Sequence, residues 1–157
     1  MDSDAKIEQQ AIKFLSYLGI KSQSNFFTCY RYPLPILGII PFKAVVQAML
    51  VKVNLLVFTP NELVIKKVGS GFSLVKIKEK SFDRNVIRIP KKQIKRFEIK
   101  NWVVLGMSWG YLMTIEADKT YYFNVAKTIG EDFSTRNFFN VKKNNFYGLV
   151  TEDKTNS

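Results

Sequence analysis

The chain has no histidine anywhere in its 157 residues. That removes Ser-His-Asp and Cys-His catalysis, imidazole metal ligands and the usual general base near neutral pH. Cysteine is almost as scarce. Cys29 alone cannot close an internal disulfide and is too little for a structural zinc site. Lying among Phe27, Tyr30 and Tyr32, it reads as a buried, inert thiol. Carboxylates number 13 against 24 Lys and Arg, and they are scattered, with Glu131-Asp132 and Glu152-Asp153 near the C-terminal end. Neither a catalytic dyad nor a divalent-metal cage suggests itself. Gly69-Ser70-Gly71 lacks the strand–helix context of a phosphate loop and reads as a turn. The expectation is therefore a protein without catalysis, cofactor or metal.

Targeting and membrane signals are also missing. Met1-Asp2-Ser3-Asp4 is acidic and is followed by an amphipathic pattern, unlike a signal peptide, and no Asn-X-Ser/Thr acceptor occurs. The most apolar stretch, residues 34–58, is broken by Lys43, Gln47, Lys52 and Asn54 and by Pro35 and Pro41. A spanning helix needs about 20 nearly unbroken apolar residues, so this reads as core. With one cysteine, a reducing, cytoplasmic setting is expected, with association at the periphery of a membrane left open.

What the chain does have is a core and a positive charge. Apolar residues make up 46% and aromatics 14%, which excludes a disordered chain, and the length fits one domain. The formal charge is +11. Residues 76–100 hold ten of the 24 Lys and Arg against Glu79, Asp83 and Glu98. Such a charge permits nucleic acid, anionic lipid or acidic protein as partner, and equally a merely solvated surface.

Hydrophobic spacing predicts a helix over residues 4–18, with Ile7, Ala11, Phe14 or Leu15 and Leu18 on one face and Gly19 just past its end. Residues 21–41, rich in Phe, Tyr and Pro, read as a partly buried connection to a first strand near residues 43–49. Val51, Val53, Leu55 and Val57 then alternate with polar residues as a strand. Thr59-Pro60-Asn61 is turn chemistry, and Leu63 to Val68 returns as its partner. Residues 72–80 predict a strand with Lys76, Lys78 and Lys80 on one exposed face. Short strands follow at residues 86–89 and 94–99, then a hairpin of residues 109–117 and 121–126 about Asp118-Lys119. Ser134 or Thr135 is the expected cap of a C-terminal helix, and the chain beyond residue 149 is expected to fray. Seven or eight strands on short turns predict a mainly β (α+β) fold, a small antiparallel barrel or sandwich.

The order of these signals resembles bacterial pleckstrin-homology-like and GRAM-type domains. Leu56 to Ile65 resembles their first conserved hairpin, and Ile89-Pro90-Lys91-Lys92-Gln93-Ile94 resembles their Ile-Pro-x-x-x-Ile strand entry. The strands about Asp118-Lys119, ending in Tyr121-Tyr122-Phe123, resemble their penultimate hairpin, and Asn137-Phe138-Phe139 sits where their closing helix begins. The resemblance implies a bent barrel of about seven strands capped by a C-terminal helix, spanning residues 43–150. Residues 1–42 would then be an N-terminal helix and aromatic linker packed on it. It also implies binding without catalysis, and leaves the ligand open.

Two constellations are candidate binding elements. The first is the basic set Lys76, Lys78, Lys80, Arg88, Lys91, Lys92, Lys95 and Arg96, which would attract phosphate if the fold gathers it. The second is an apolar loop holding Trp102, Met107 and Trp109, residue types suited to a headgroup interface, though more often simply buried strand and core. The first reading is thus a binding module for anionic lipid or an acidic protein. An assembly protein associating through residues 1–19 or the aromatic linker is the second. A nucleic-acid binder stacking bases on Tyr111, Tyr121 or Tyr122 is the third.

Overall fold

The computed structural model describes residues 4–31, 51–70, 75–126 and 132–149. The expected strand at residues 43–49 and the frayed end lie outside them. Within them the chain opens with helix α1 (Asp4–Tyr17), whose Ala11, Phe14 and Leu15 are buried at the predicted steps of three and four. Gly19 follows at φ 72°, the left-handed position that ends a helix.

Seven strands follow: β1 (Phe26–Arg31), β2 (Lys52–Phe58), β3 (Glu62–Ser70), β4 (Val86–Pro90), β5 (Arg96–Val104), β6 (Met107–Glu116) and β7 (Thr120–Ala126). They make one antiparallel sheet in the order β4-β3-β2-β1-β7-β6-β5. The expected bent barrel is not closed by hydrogen bonds, for β4 and β5 are the sheet's two edges.

Two departures from the sequence expectation matter. The aromatic connection contains β1, a central strand pairing Phe26 with Val57 through Arg31 with Lys52. The described part of the expected strand at residues 72–80 is not one: residues 75–78 have no regular structure and Glu79–Ser81 form a 3-10 turn. The alternation there serves packing instead. Ile77 and Phe82 are buried beneath α1, the Ile77 amide donates to Gln10 Oε1, and Phe82 meets Phe14 edge-on at 5.5 Å. Gly69 and Ser70 belong to β3 rather than to the expected turn, whose third residue, Gly71, lies outside the described residues.

Strand alternation divides the core in two. Phe27, Leu56, Phe58, Leu63, Ile65, Phe97, Ile115 and Phe123 face one side, and Phe26, Leu55, Val57 and Val64 face the other with α1. β2 is buried on both faces from Val53 to Phe58, which is why it reads as a continuous apolar run. Helix α2 (Phe133–Lys143) lies along β1, where Asn137 Nδ2 donates to the Phe26 carbonyl at 2.9 Å. The cap of α2 is Asp132, accepting from the Thr135 amide at 2.7 Å. The expected cap Ser134 instead accepts from the Thr28 amide of β1. A left-handed turn follows, with Asn145, Phe146 and Tyr147 at φ 50°, 50° and 56° and Gly148 at 84°. It drives Phe146 against Phe58, Phe97 and Phe138.

Candidate functional site

The fold does not gather the eight predicted cations. Lys76, Lys78 and Lys80 lie on the exposed connection that follows β3, where the Lys76 amide donates to Val68 and Glu79 pairs with Lys13 of α1. Lys91 and Lys92 sit in the 3-10 turn after β4, with the Lys91 amide on the Asn61 carbonyl. Lys95 and Arg96 lead into β5, the Lys95 amide bonding to Glu116. The β3–β4 register puts Val86 opposite Lys66 and Pro90 opposite Glu62. The two lysine groups therefore flank opposite ends of a five-residue strand, roughly 13 Å of chain at about 3.3 Å per residue.

Two of the eight are held by carboxylates, and Lys91 Nζ donates to the Tyr147 carbonyl at 3.4 Å. Arg88 grips the Glu62 carboxylate through both Nε and Nη2, holding Glu62 below its ordinary value and itself above. This pair borders a cleft of about 300 Å³ between the α1–β1 connection and the β2–β3 turn, walled by Leu18, Ile20, Asn25, Pro60 and Tyr147. Arg96 and Lys100 share Glu98, at 2.7 and 2.9 Å. Among the described residues no cluster of Cys, Asp and Glu could hold a metal ion, and burial pushes the Cys29 thiol well up, as expected of an inert thiol.

The sequence missed other cations. Arg31 and Lys119 lie 5.3 and 5.2 Å from the ring centre of Tyr121, where β1 ends and β7 begins, and Lys52 faces Arg31 across the β1–β2 pair. Lys66 is 3% exposed and donates to the Ser81 and Arg84 carbonyls at 2.8 and 2.9 Å. Desolvation lowers its pKa, and Asp83 partly restores it. Its neighbour Lys67 is exposed on the same strand; only the tertiary fold separates a surface lysine from one that pins a loop.

The predicted apolar loop is the end of the β5–β6 hairpin. The register runs Trp102 to Gly110, Val103 to Ser108 and Val104 to Met107, with a bulge after Trp102. Leu105 and Gly106 alone form the turn, at φ 51° and 76°. Positive φ at both central positions is the hairpin geometry for which Asn-Gly is the favoured pair. A leucine held left-handed there costs roughly 1–2 kcal/mol. Leu105 is nonetheless 90% exposed, with Val103, Met107 and Trp109 each about half exposed beside it. Trp102 takes the core reading rather than the interfacial one. It is buried, with its ring 6.4 Å from that of Trp109.

No protein-family model matches this chain, and no curated protein matches it. Among solved structures it is similar to the C-terminal domain of an unknown protein from Leishmania infantum, at 14% identity and a TM-score of 0.44. That likeness covers 90% of this chain and 97% of the other. It is also similar to the hSac2 domain from the human phosphoinositide phosphatase Sac2, at 8% identity and a TM-score of 0.46, over 91% of this chain and 80% of that one. Among the described residues no helix is long and apolar enough to cross a membrane.

Proposed function

We propose that the chain is a non-catalytic, pleckstrin-homology-like binding module that associates with anionic membrane surfaces. The observation that carries this reading is the fate of its carboxylates. Glu8, Glu62, Glu79 and Glu98 are each held by a Lys or Arg of the same chain. Asp4 and Asp132 serve the first turn of α2, and Asp118 accepts from the Tyr121 hydroxyl at 3.1 Å. These seven acids thus answer to internal partners, while Lys52, Lys76, Lys78, Lys80, Lys92 and Lys95 stay exposed. The resulting field is positive over several sides of the molecule. Cations spread in this way suit an extended polyanion, such as a lipid surface, better than one discrete phosphate.

Co-sedimentation with neutral and anionic vesicles, at low and physiological salt and with duplex and single-stranded DNA as competitors, tests the proposal. Binding to anionic vesicles that persists at physiological salt and resists DNA is the expected result. Binding absent from anionic vesicles, or abolished by modest salt, makes the charge a solvated surface and overturns the reading. Displacement by DNA would favour the nucleic-acid alternative.

A further inference from the structure

The β5–β6 hairpin end is apolar, exposed and built against its own backbone preference. From Ile99 to Ile115 the only charged residue is Lys100. Four of the molecule's large exposed apolar side chains, Val103, Leu105, Met107 and Trp109, crowd the last few residue pairs. β7 pairs with β6 as far as Gly110, so these residues lie beyond the end of the described sheet partner. Two residues along β6 from Trp109, Lys142 of α2 donates to the Tyr111 hydroxyl at 3.2 Å, with its ammonium 4.5 Å from the ring centre. Phe139, half exposed, stands one helical turn before Lys142.

We propose that this hairpin end is a membrane-inserting wedge: Leu105, Met107 and Trp109 enter the acyl–headgroup boundary of an anionic bilayer, with Lys100, Lys142 and Lys143 set against the lipid phosphates. The proposal rests on the membrane reading above and names the surface that makes the contact. Charge and shape select the occupant. The rim carries Lys100, Lys142 and Lys143, and among the described residues the carboxylate paired with Lys100 is Glu98, which Arg96 shares. A second copy of the chain would oppose this rim with the same sign of charge. A convex tip with a tryptophan, a methionine and an exposed leucine suits a soft interface, where tryptophan prefers the headgroup level and lysine stems extend toward the phosphates. Leucine at a left-handed turn position, where asparagine would relieve the backbone, is a stability cost retained at an exposed tip. Such strain concentrates at working surfaces.

The test uses the full chain carrying Trp102→Phe, which leaves Trp109 as the sole tryptophan, with vesicles of phosphatidylcholine and phosphatidylserine containing brominated acyl chains. The expected result is a blue shift and quenching of Trp109 emission on vesicle addition. Leu105→Glu should weaken partitioning roughly tenfold or more, the effect of withholding one buried leucine from an apolar phase. Leu105→Asn should weaken partitioning while raising the melting temperature, which separates a binding defect from unfolding. Co-sedimentation without quenching, and without effect of either substitution, overturns the wedge and leaves the membrane reading intact. No co-sedimentation overturns both. A dimer in solution that Leu105→Glu dissociates would reassign the tip to self-association and overturn the wedge.

Discussion

The Asp4 carboxylate accepts a hydrogen bond from the amide of Phe133 at 3.0 Å, joining the first turn of α1 to the first turn of α2 across 129 residues of sequence. A helix start leaves its first amides without partners inside the helix. Here two carboxylates supply them, Asp132 from within the chain turn and Asp4 from the other helix. Arg136 of α2 reaches back to Glu8 of α1 at 2.6 Å, on the same pair of helices. Asp4→Ala should therefore behave as loss of a helix cap, lowering stability by about 1 kcal/mol. Asp132→Ala should cost a similar amount. Urea unfolding followed by far-ultraviolet circular dichroism reads both. An unchanged midpoint in Asp4→Ala would mean that the Asp4 contact contributes nothing to the placement of α2.

Acid should weaken the fold through Glu62 and Glu98. The Arg88 guanidinium hydrogen-bonded to Glu62, and the Lys100 ammonium with Arg96 at Glu98, hold both carboxyls below their ordinary 4.5. A carboxyl with a lowered folded value takes up protons more readily in the unfolded chain. Its stabilisation is complete above the unfolded value and is lost as the pH falls below about 4.5 and through the lower folded one. The urea midpoint of the wild type should drop between pH 6 and pH 3. Glu62→Gln, which cannot titrate, should show a smaller drop over the same interval. Equal drops in the two proteins would deny Glu62 any part. The effect is modest because the Arg88 side chain is 46% exposed.

The left-handed turn after α2 exists to place one ring. Phe146 is 3% exposed and its ring lies 5.0 Å from that of Phe97 and 5.7 Å from that of Phe58, joining the start of β5 to the end of β2. Phe146→Ala leaves a cavity at that junction and should cost about 3–5 kcal/mol. Phe139→Ala, on the exposed side of α2, should stay within about 0.5 kcal/mol. Chemical denaturation of both variants makes the comparison. Similar losses would mean that the junction relaxes around the missing ring.

The β2–β3 hairpin was readable because its signals are local: alternating apolar residues and Thr59, whose hydroxyl accepts from the Glu62 amide. β1 was not readable, since Phe26, Phe27 and Cys29 are buried on both faces of the sheet and no alternation survives. Lys76, Lys78 and Lys80 alternate as a strand would, but Ile77 between them answers to α1, more than 60 residues away. Long-range packing overrides a local pattern in this way. The same limit applies to the candidate surfaces. Met107 and Trp109 were identifiable by residue type. The exposure of Leu105 depends on the β5–β6 register, which places the two-residue turn, and the burial of Trp102 depends on the bulge beside it. Arg31 joins Lys119 at Tyr121 only because β1 and β7 pair at Tyr30 and Asn124.

Salt should separate the cations that touch lipid from those that only sense it. With the hairpin tip seated, Lys142 lies beside the inserted residues through Tyr111, whereas Lys78 and Lys80 lie ahead of the start of β4, at the 3-10 turn of residues 79–81 near α1. Charges separated from the surface by more than a screening length, about 8 Å at physiological ionic strength, contribute little there, while at 0.01 M the length is about 30 Å. Lys142→Glu with Lys143→Glu should thus weaken binding to anionic vesicles at both salt concentrations. The size should be about 1 kcal/mol or more per residue, since each change also reverses a charge. Lys78→Glu with Lys80→Glu should weaken it at low salt and lose most of its effect at physiological salt. Vesicle titration at the two ionic strengths measures both pairs. If the second pair were the more damaging at physiological salt, the membrane would lie against the α1 side of the molecule, and the hairpin tip would point away from it.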